Sequence, residues 1–160
     1  MDVTKVNAMD KKTGSTALWM AAQNSHVEVV RALILGGANT DAVCDIVDGD
    51  SFRRRTQPST ALVVAAQNGR TEVVSVLLES RAAVDQTPTN GDGQTALSKA
   101  ASAGHVEVCR VLLQAGANIE AADNNGATAL FWALKNSKLR VIAMLLEEGA
   151  SIDAVEAAEA

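Results

Sequence analysis

The sequence predicts an all-α repeat solenoid: helix–turn–helix units stacked side by side and joined by hairpin or loop fingers. Three observations predict it. Four segments align in register, beginning at Thr16, Thr60, Thr95 and Thr128. Each carries helical apolar spacing on both sides of a single turn. The apolar residues are small or medium, with no Tyr and only two each of Phe and Trp among 160 residues, which suits closely packed helices better than a thick two-layer core.

The aligned segments are "TALWMAAQNSHVEVVRALILGGAN", "TALVVAAQNGRTEVVSVLLESRAA", "TALSKAASAGHVEVCRVLLQAGAN" and "TALFWALKNSKLRVIAMLLEEGAS". Their threonines are 44, 35 and 33 residues apart, so a 33-residue unit with insertions of eleven and two residues accounts for all of them. In each unit the threonine hydroxyl stands where an N-cap accepts an orphan backbone N–H. A short helix follows, with Leu18, Ala21 and Ala22 and their equivalents on one face. Gly69 and Gly104, replaced by Ser25 and Ser137 in the outer units, end that helix and let the chain reverse. A second helix carries the stripe Val29, Val30, Leu33, Ile34 and stops at Gly37, Gly116 or Gly149. Helices this short do not persist alone in water, so stability has to come from stacking each pair on its neighbours.

The motifs "GDGQTALSKAASAGHVEVCRVLLQAGANIEAADNNGATAL" in the third and fourth units resemble the ankyrin repeat, with its Asp-x-x-Gly-x-Thr-x-Leu, Ala-Ala, Gly-His-x-Glu-Val-Val, Leu-Leu and Gly-Ala. The resemblance implies a β-hairpin turn followed by two antiparallel helices per unit. It divides the chain into repeats 11–43, 55–87, 90–122 and 123–155, an insertion at 44–54, and residues 1–10 as the tail of a preceding repeat. Two family positions depart. The Pro after the threonine is Ala17, Ala61, Ala96 and Ala129, and the first-helix His is Trp19, Val63, Ser98 and Phe131, so the family's hydrogen bonds from that His are expected to be missing.

Composition narrows function. Net charge is −5, and five acids with no base follow position 146; the remaining fourteen acids balance fourteen bases, so no broad basic face for nucleic acid is built. "MDVTKVNAMDKKTG" has no apolar signal core, and no run is long enough to span a membrane. Two cysteines at no metal or disulfide spacing suggest a reducing, intracellular setting, cytoplasmic or nuclear. His26 and His105 share one column two units apart, about 20 Å at the usual helix spacing, and read as capping and turn-packing residues. Cys109 falls in a core column and reads as inert; Cys44, near the finger, is the more reactive candidate, although no base adjoins it. No catalytic triad, phosphate loop or zinc spacing occurs, so no enzyme, cofactor or metal is expected. Trp19 and Trp132 lie too far apart for an aromatic methyl-lysine cage.

What the family resemblance implies is a partner-binding surface: finger tips plus the solvent side of the first helices. Carried over position by position, the tips are Lys12, Thr13 and Ser15; Asp92 and Gln94; and Asn124, Asn125 and Ala127. The groove floor is Met20, Gln23 and Asn24; Val64, Gln67 and Asn68; Lys99, Ser102 and Ala103; and Trp132, Lys135 and Asn136. Its amide and aliphatic character suits a protein or peptide partner. Trp132 is expected to be partly exposed and Trp19 more packed. The rival readings are a regulatory domain docking within a larger channel or enzyme, and nucleotide or oligonucleotide sensing.

"CDIVDGDSFRRRTQPST" reads as an elongated hairpin or loose finger around Asp48-Gly49. It lacks calcium-loop spacing. A solvated loop, a partner-specific finger bearing Arg53, Arg54 and Arg55, and a phosphorylation site at Thr56 beside those arginines all stay open. At the ends, Leu35 replaces the Glu or Gln of its column. The last unit keeps Leu130, Leu134, Val141 and Leu145 without a polar capping unit. The expectation is a piece of a longer array, or self-association through open ends.

Overall fold

The structure, a computed structural model, describes residues 3–45, 58–88 and 91–153. A one-turn helix, α1 (Val3–Val6), precedes four helix pairs: α2 (Ala17–Gln23) with α3 (Val27–Leu35), α4 (Ala61–Gln67) with α5 (Thr71–Glu79), α6 (Ala96–Ala103) with α7 (Val106–Gln114), and α8 (Ala129–Lys135) with α9 (Leu139–Glu147). First helices pack in one row, α2 to α4 to α6 to α8, and second helices in another, α3 to α5 to α7 to α9. The predicted all-α solenoid is what forms.

Local chemistry explains each boundary. The hydroxyls of Thr16, Thr60, Thr95 and Thr128 accept from the backbone N–H three residues on, and all four threonines are buried. Such a cap contributes about 1 kcal/mol. The turn after each first helix needs a left-handed residue, supplied by Gly69 (φ 67°) and Gly104 (φ 89°) and, at some strain, by Ser25 (φ 62°) and Ser137 (φ 54°). Arg81 takes the same conformation where the other second helices end on glycine.

One hydrophobic core runs the length of the stack. Leu18, Leu62, Leu97 and Leu130 fill its first row, and Val30, Val74 and Cys109 its second. Ala22, Ala66 and Ala101 are fully buried on the first helices, which pack on one another in a row. Each buried leucine is worth about 1.5–3 kcal/mol.

A second set of interlayer bonds was not foreseen. Asn7 Oδ1 accepts from Asn39 N at 2.7 Å, Asp41 Oδ1 from Ala83 N at 2.9 Å, Asp85 Oδ2 from Asn118 N at 3.0 Å, and Glu120 Oε1 from Ser151 N at 2.6 Å. The same column thus reaches forward to the same backbone position of the next layer, rung after rung, and Asn7 stands on the first rung.

The fingers close through backbone pairs: Asp10 N to Ser15 O, Cys44 and Ser59 bonding each other both ways, and Asp123 N to Ala127 O. This corrects the expected start of the insertion at residue 44. Cys44 is the fully buried base of its finger, and its Sγ accepts from Thr16 N at 3.4 Å. The extra residues lie between Cys44 and Ser59, and the expected hairpin around Asp48-Gly49 falls outside the described residues.

Candidate functional site

The row of first helices builds the site. A cavity of about 300 Å³ is lined by Trp19 and Gln23 of α2, Pro58 and Ser59 of the second finger, Val63, Val64, Gln67 and Asn68 of α4 or its cap, and Lys99 of α6. Gln23, Val64, Gln67, Asn68 and Lys99 were expected there. Trp19, Pro58, Ser59 and Val63 were not. Their signal in the sequence was faint, because Pro58 and Ser59 follow the insertion and only chain closure at Cys44 brings them to α2.

Trp19 is 8 % exposed, and its indole N–H donates to Ser59 Oγ at 2.9 Å. It therefore restores a hydrogen bond between layers from the column where the family's His was missed. Trp132 is half-buried, as expected for a floor residue. Its indole N–H donates to Asp123 Oδ2 at 3.0 Å, Phe131 meets it edge-on at 5.7 Å, and Lys135 Nζ lies 4.8 Å from its ring centre. That cation–π contact holds Lys135 against the floor. Lys99 is likewise engaged, with Nζ 2.7 Å from Asp92 Oδ2, so the cation beside the cavity arrives already neutralised.

Several candidate contacts turn out to hold the scaffold. Ser15, Val64, Gln94 and Ala127 are all under 9 % exposed: Ser15, Gln94 and Ala127 directly precede the cap threonines at the base of their fingers, whereas Val64 lies within α4 and still borders the cavity. Asn24, Asn68 and Asn136 cap their own helices, each amide donating to the carbonyl four residues back, of Met20, Val64 and Trp132. Asn136 also donates to Ser102 Oγ. Met20, Gln67, Ala103, Asn125 and Lys12 are exposed. Asn124 is exposed too, yet its amide donates to Gly91 O and ties the third finger to the fourth. Thr13 is fixed to Asp10, whose carboxyl is held below the ordinary value, first by the Thr13 backbone N–H, then by the Thr13 hydroxyl and the Lys12 N–H. Arg53, Arg54, Arg55 and Thr56 lie outside the described residues.

The histidines behave differently from the capping role expected of them. Neither side chain caps its helix. His105 instead reaches the previous layer, where Nε2 donates to Gln67 O at 3.1 Å. Arg70 does the same to Gln23 O at 3.2 Å. Cys109 is fully buried, and burial pushes its thiol up to about 12. Cys44, read as the more reactive thiol, is equally buried. Among the described residues, no three His, Cys, Asp or Glu side chains gather for a metal ion, and no helix is long and apolar enough to cross a membrane.

Paired short helices, threonine caps, left-handed turns and fingers recur along the chain, and the family model described as ankyrin repeats (3 copies) matches residues 2–88, 37–123 and 62–156. The chain belongs to the ankyrin repeat family. Ankyrin repeats generally serve as protein–protein interaction modules and are typically not enzymes. No curated protein matches the sequence.

Proposed function

We propose that this ankyrin array binds a protein or peptide partner along its row of first helices, with the α2–α4–α6 cavity as the anchoring point and the fingers as its rim. The observation that carries the reading is the cavity itself, about 300 Å³ between three layers, lined by an indole, two valines, amides and a proline. This mixture offers apolar contact to one side chain and hydrogen bonds to a backbone beside it. The Trp132–Lys135 pair extends the same row by one layer and offers an aromatic anchor. Lys99 and Lys135 are both engaged within the chain, which favours a partner of mixed character over a polyanion. Binding is the whole of the activity on this reading, without chemistry on the partner.

A photo-crosslinking residue at Gln67, facing the cavity, is expected to capture a discrete protein species from cells. The same residue at Glu72, exposed on the outer helix α5, is expected to capture none of it. Equal capture from both positions, or from neither, would refute the groove as the binding surface.

A further inference from the structure

On the reading that the row of first helices is the binding surface, we infer that Val64 sets what its cavity accepts. The occupant is an extended, uncharged peptide segment with one apolar side chain seated on Val63 and Val64. One column through the stack shows why space opens at this layer. Met20, Val64, Lys99 and Trp132 each stand four residues after their cap threonine, and Val64 is the shortest of them. Trp19 of the first layer and Lys99 of the third, both long, line the cavity from either side. Between them the second layer offers only Val63 and Val64, 2 % and 4 % exposed. The space is the volume that a longer side chain at position 64 would take. Valine is stiff at χ1, so this apolar floor has a fixed shape.

Charge narrows the occupant. Lys99 is the one charged residue in the lining, and its Nζ already lies 2.7 Å from Asp92 Oδ2. An acidic side chain entering the cavity would have to compete with Asp92, and a basic one would meet a like charge. Either would lose water without gaining a counter-ion. An uncharged apolar side chain loses nothing there and gains the contact of both valines and the indole.

The polar groups of the lining select the conformation. The Trp19 indole N–H is committed to Ser59 Oγ, and the Asn68 amide donates to Val64 O. The side-chain amides of Gln23 and Gln67, one layer apart on α2 and α4, make no hydrogen bond within the chain. Each offers both a donor and an acceptor, the complement of a peptide unit. An extended segment leaves its own N–H and C=O groups free to meet them, whereas a helix spends those groups on itself.

Random linear dodecapeptides displayed on phage and selected on the full chain test this. The expected consensus has one apolar position flanked by uncharged residues. Val64→Met, a side chain that Met20 already places in this column, is expected to weaken binding of the selected peptides about tenfold or more with a cooperative melt retained. Val64→Ala is expected to shift a repeat selection towards aromatic anchors. Gln67→Ala, at an exposed position outside the core, is expected to weaken binding about fivefold, the scale of one hydrogen bond. A photo-crosslinking residue at Met20, exposed on α2, separates this outcome from that of the groove reading. Peptides captured there but indifferent to Val64→Met or to Gln67→Ala overturn the inference and leave the groove standing. Peptides captured only from Glu72 on α5 overturn both. A charged consensus overturns it in favour of a ligand paired with Lys99 or Asp92, and a selection that enriches no peptide overturns it outright.

Discussion

Gly69→Ala tests how the layers are keyed together at their turns. Gly69 has φ 67°, and a Cβ there would lie 2.7 Å from both Cε1 and Nδ1 of His105. Two effects therefore add. Holding alanine in the left-handed region costs about 1 kcal/mol. Moving the imidazole aside breaks its bond to Gln67 O, worth about 1 kcal/mol net. Gly116→Ala supplies the reference, since Gly116 has φ 89° but nothing within 4 Å of the new methyl group; it should lose the first term alone. The expected losses are about 2 and about 1 kcal/mol, or a difference of about 2–4 °C in melting temperature for a chain of this size. Urea melts of the two variants, of His105→Ala and of Gly69→Ala/His105→Ala check the assignment, the pair coupling by about 1 kcal/mol. Equal losses at Gly69 and Gly116, or additive behaviour in the double variant, would show that His105 does not key the layers.

Three further outcomes follow from the geometry. Iodide should quench Trp132 more readily than Trp19, and Trp132→Ala should weaken partner binding more than it destabilises the fold; a loss of about 3–5 kcal/mol, the scale of a fully buried aromatic, would place it in the core. Neither cysteine should react with a thiol reagent in the folded chain. Because burial raises the Cys109 thiol from 9.0 to about 12, the native state keeps its proton while the unfolded chain loses it, so its contribution to stability is whole below pH 9 and falls as pH rises towards 12; a flat stability profile across that window would contradict the burial. Deleting residues 46–56 leaves Asp45, Gln57 and Pro58 between Cys44 and Ser59, the same number as between Asp123 and Ala127. The shortened chain should keep a cooperative melt and gain up to about 1 kcal/mol from the tighter loop; loss of the transition would make the finger part of the core.

The features legible in the sequence are those written locally and repeated. The cap threonines, the Gly or Ser turns and the Leu and Val columns each follow from a rule that acts within a few residues, and the repeat displays each of them several times. The site was legible by column but not by role. Asn24, Asn68 and Asn136 share a column with groove residues, and nothing in the spacing says that their amides turn back to cap their own helices. Ser15 and Gln94 sit at finger positions yet are buried at the base of their fingers, directly before the cap threonines. The Trp19–Ser59 bond joins residues 40 apart across an insertion of variable length, and Cys44 was misread for the same reason, since its partner lies on the far side of the added residues.

The acceptor rungs from Asn7, Asp41, Asp85 and Glu120 have a consequence for how such a chain can change. Each rung is donated by a peptide N–H, at positions occupied by Asn39, Ala83, Asn118 and Ser151, four settings of three side-chain types. The receiving layer contributes only its main chain, so any residue except proline is compatible there. Two units need not share a matched pair of side chains in order to join. A unit can therefore be copied, dropped or transplanted within the array, and its new neighbour will already carry the donor it requires. Recombination rather than point substitution is the cheaper route by which this architecture acquires a different length or a different face.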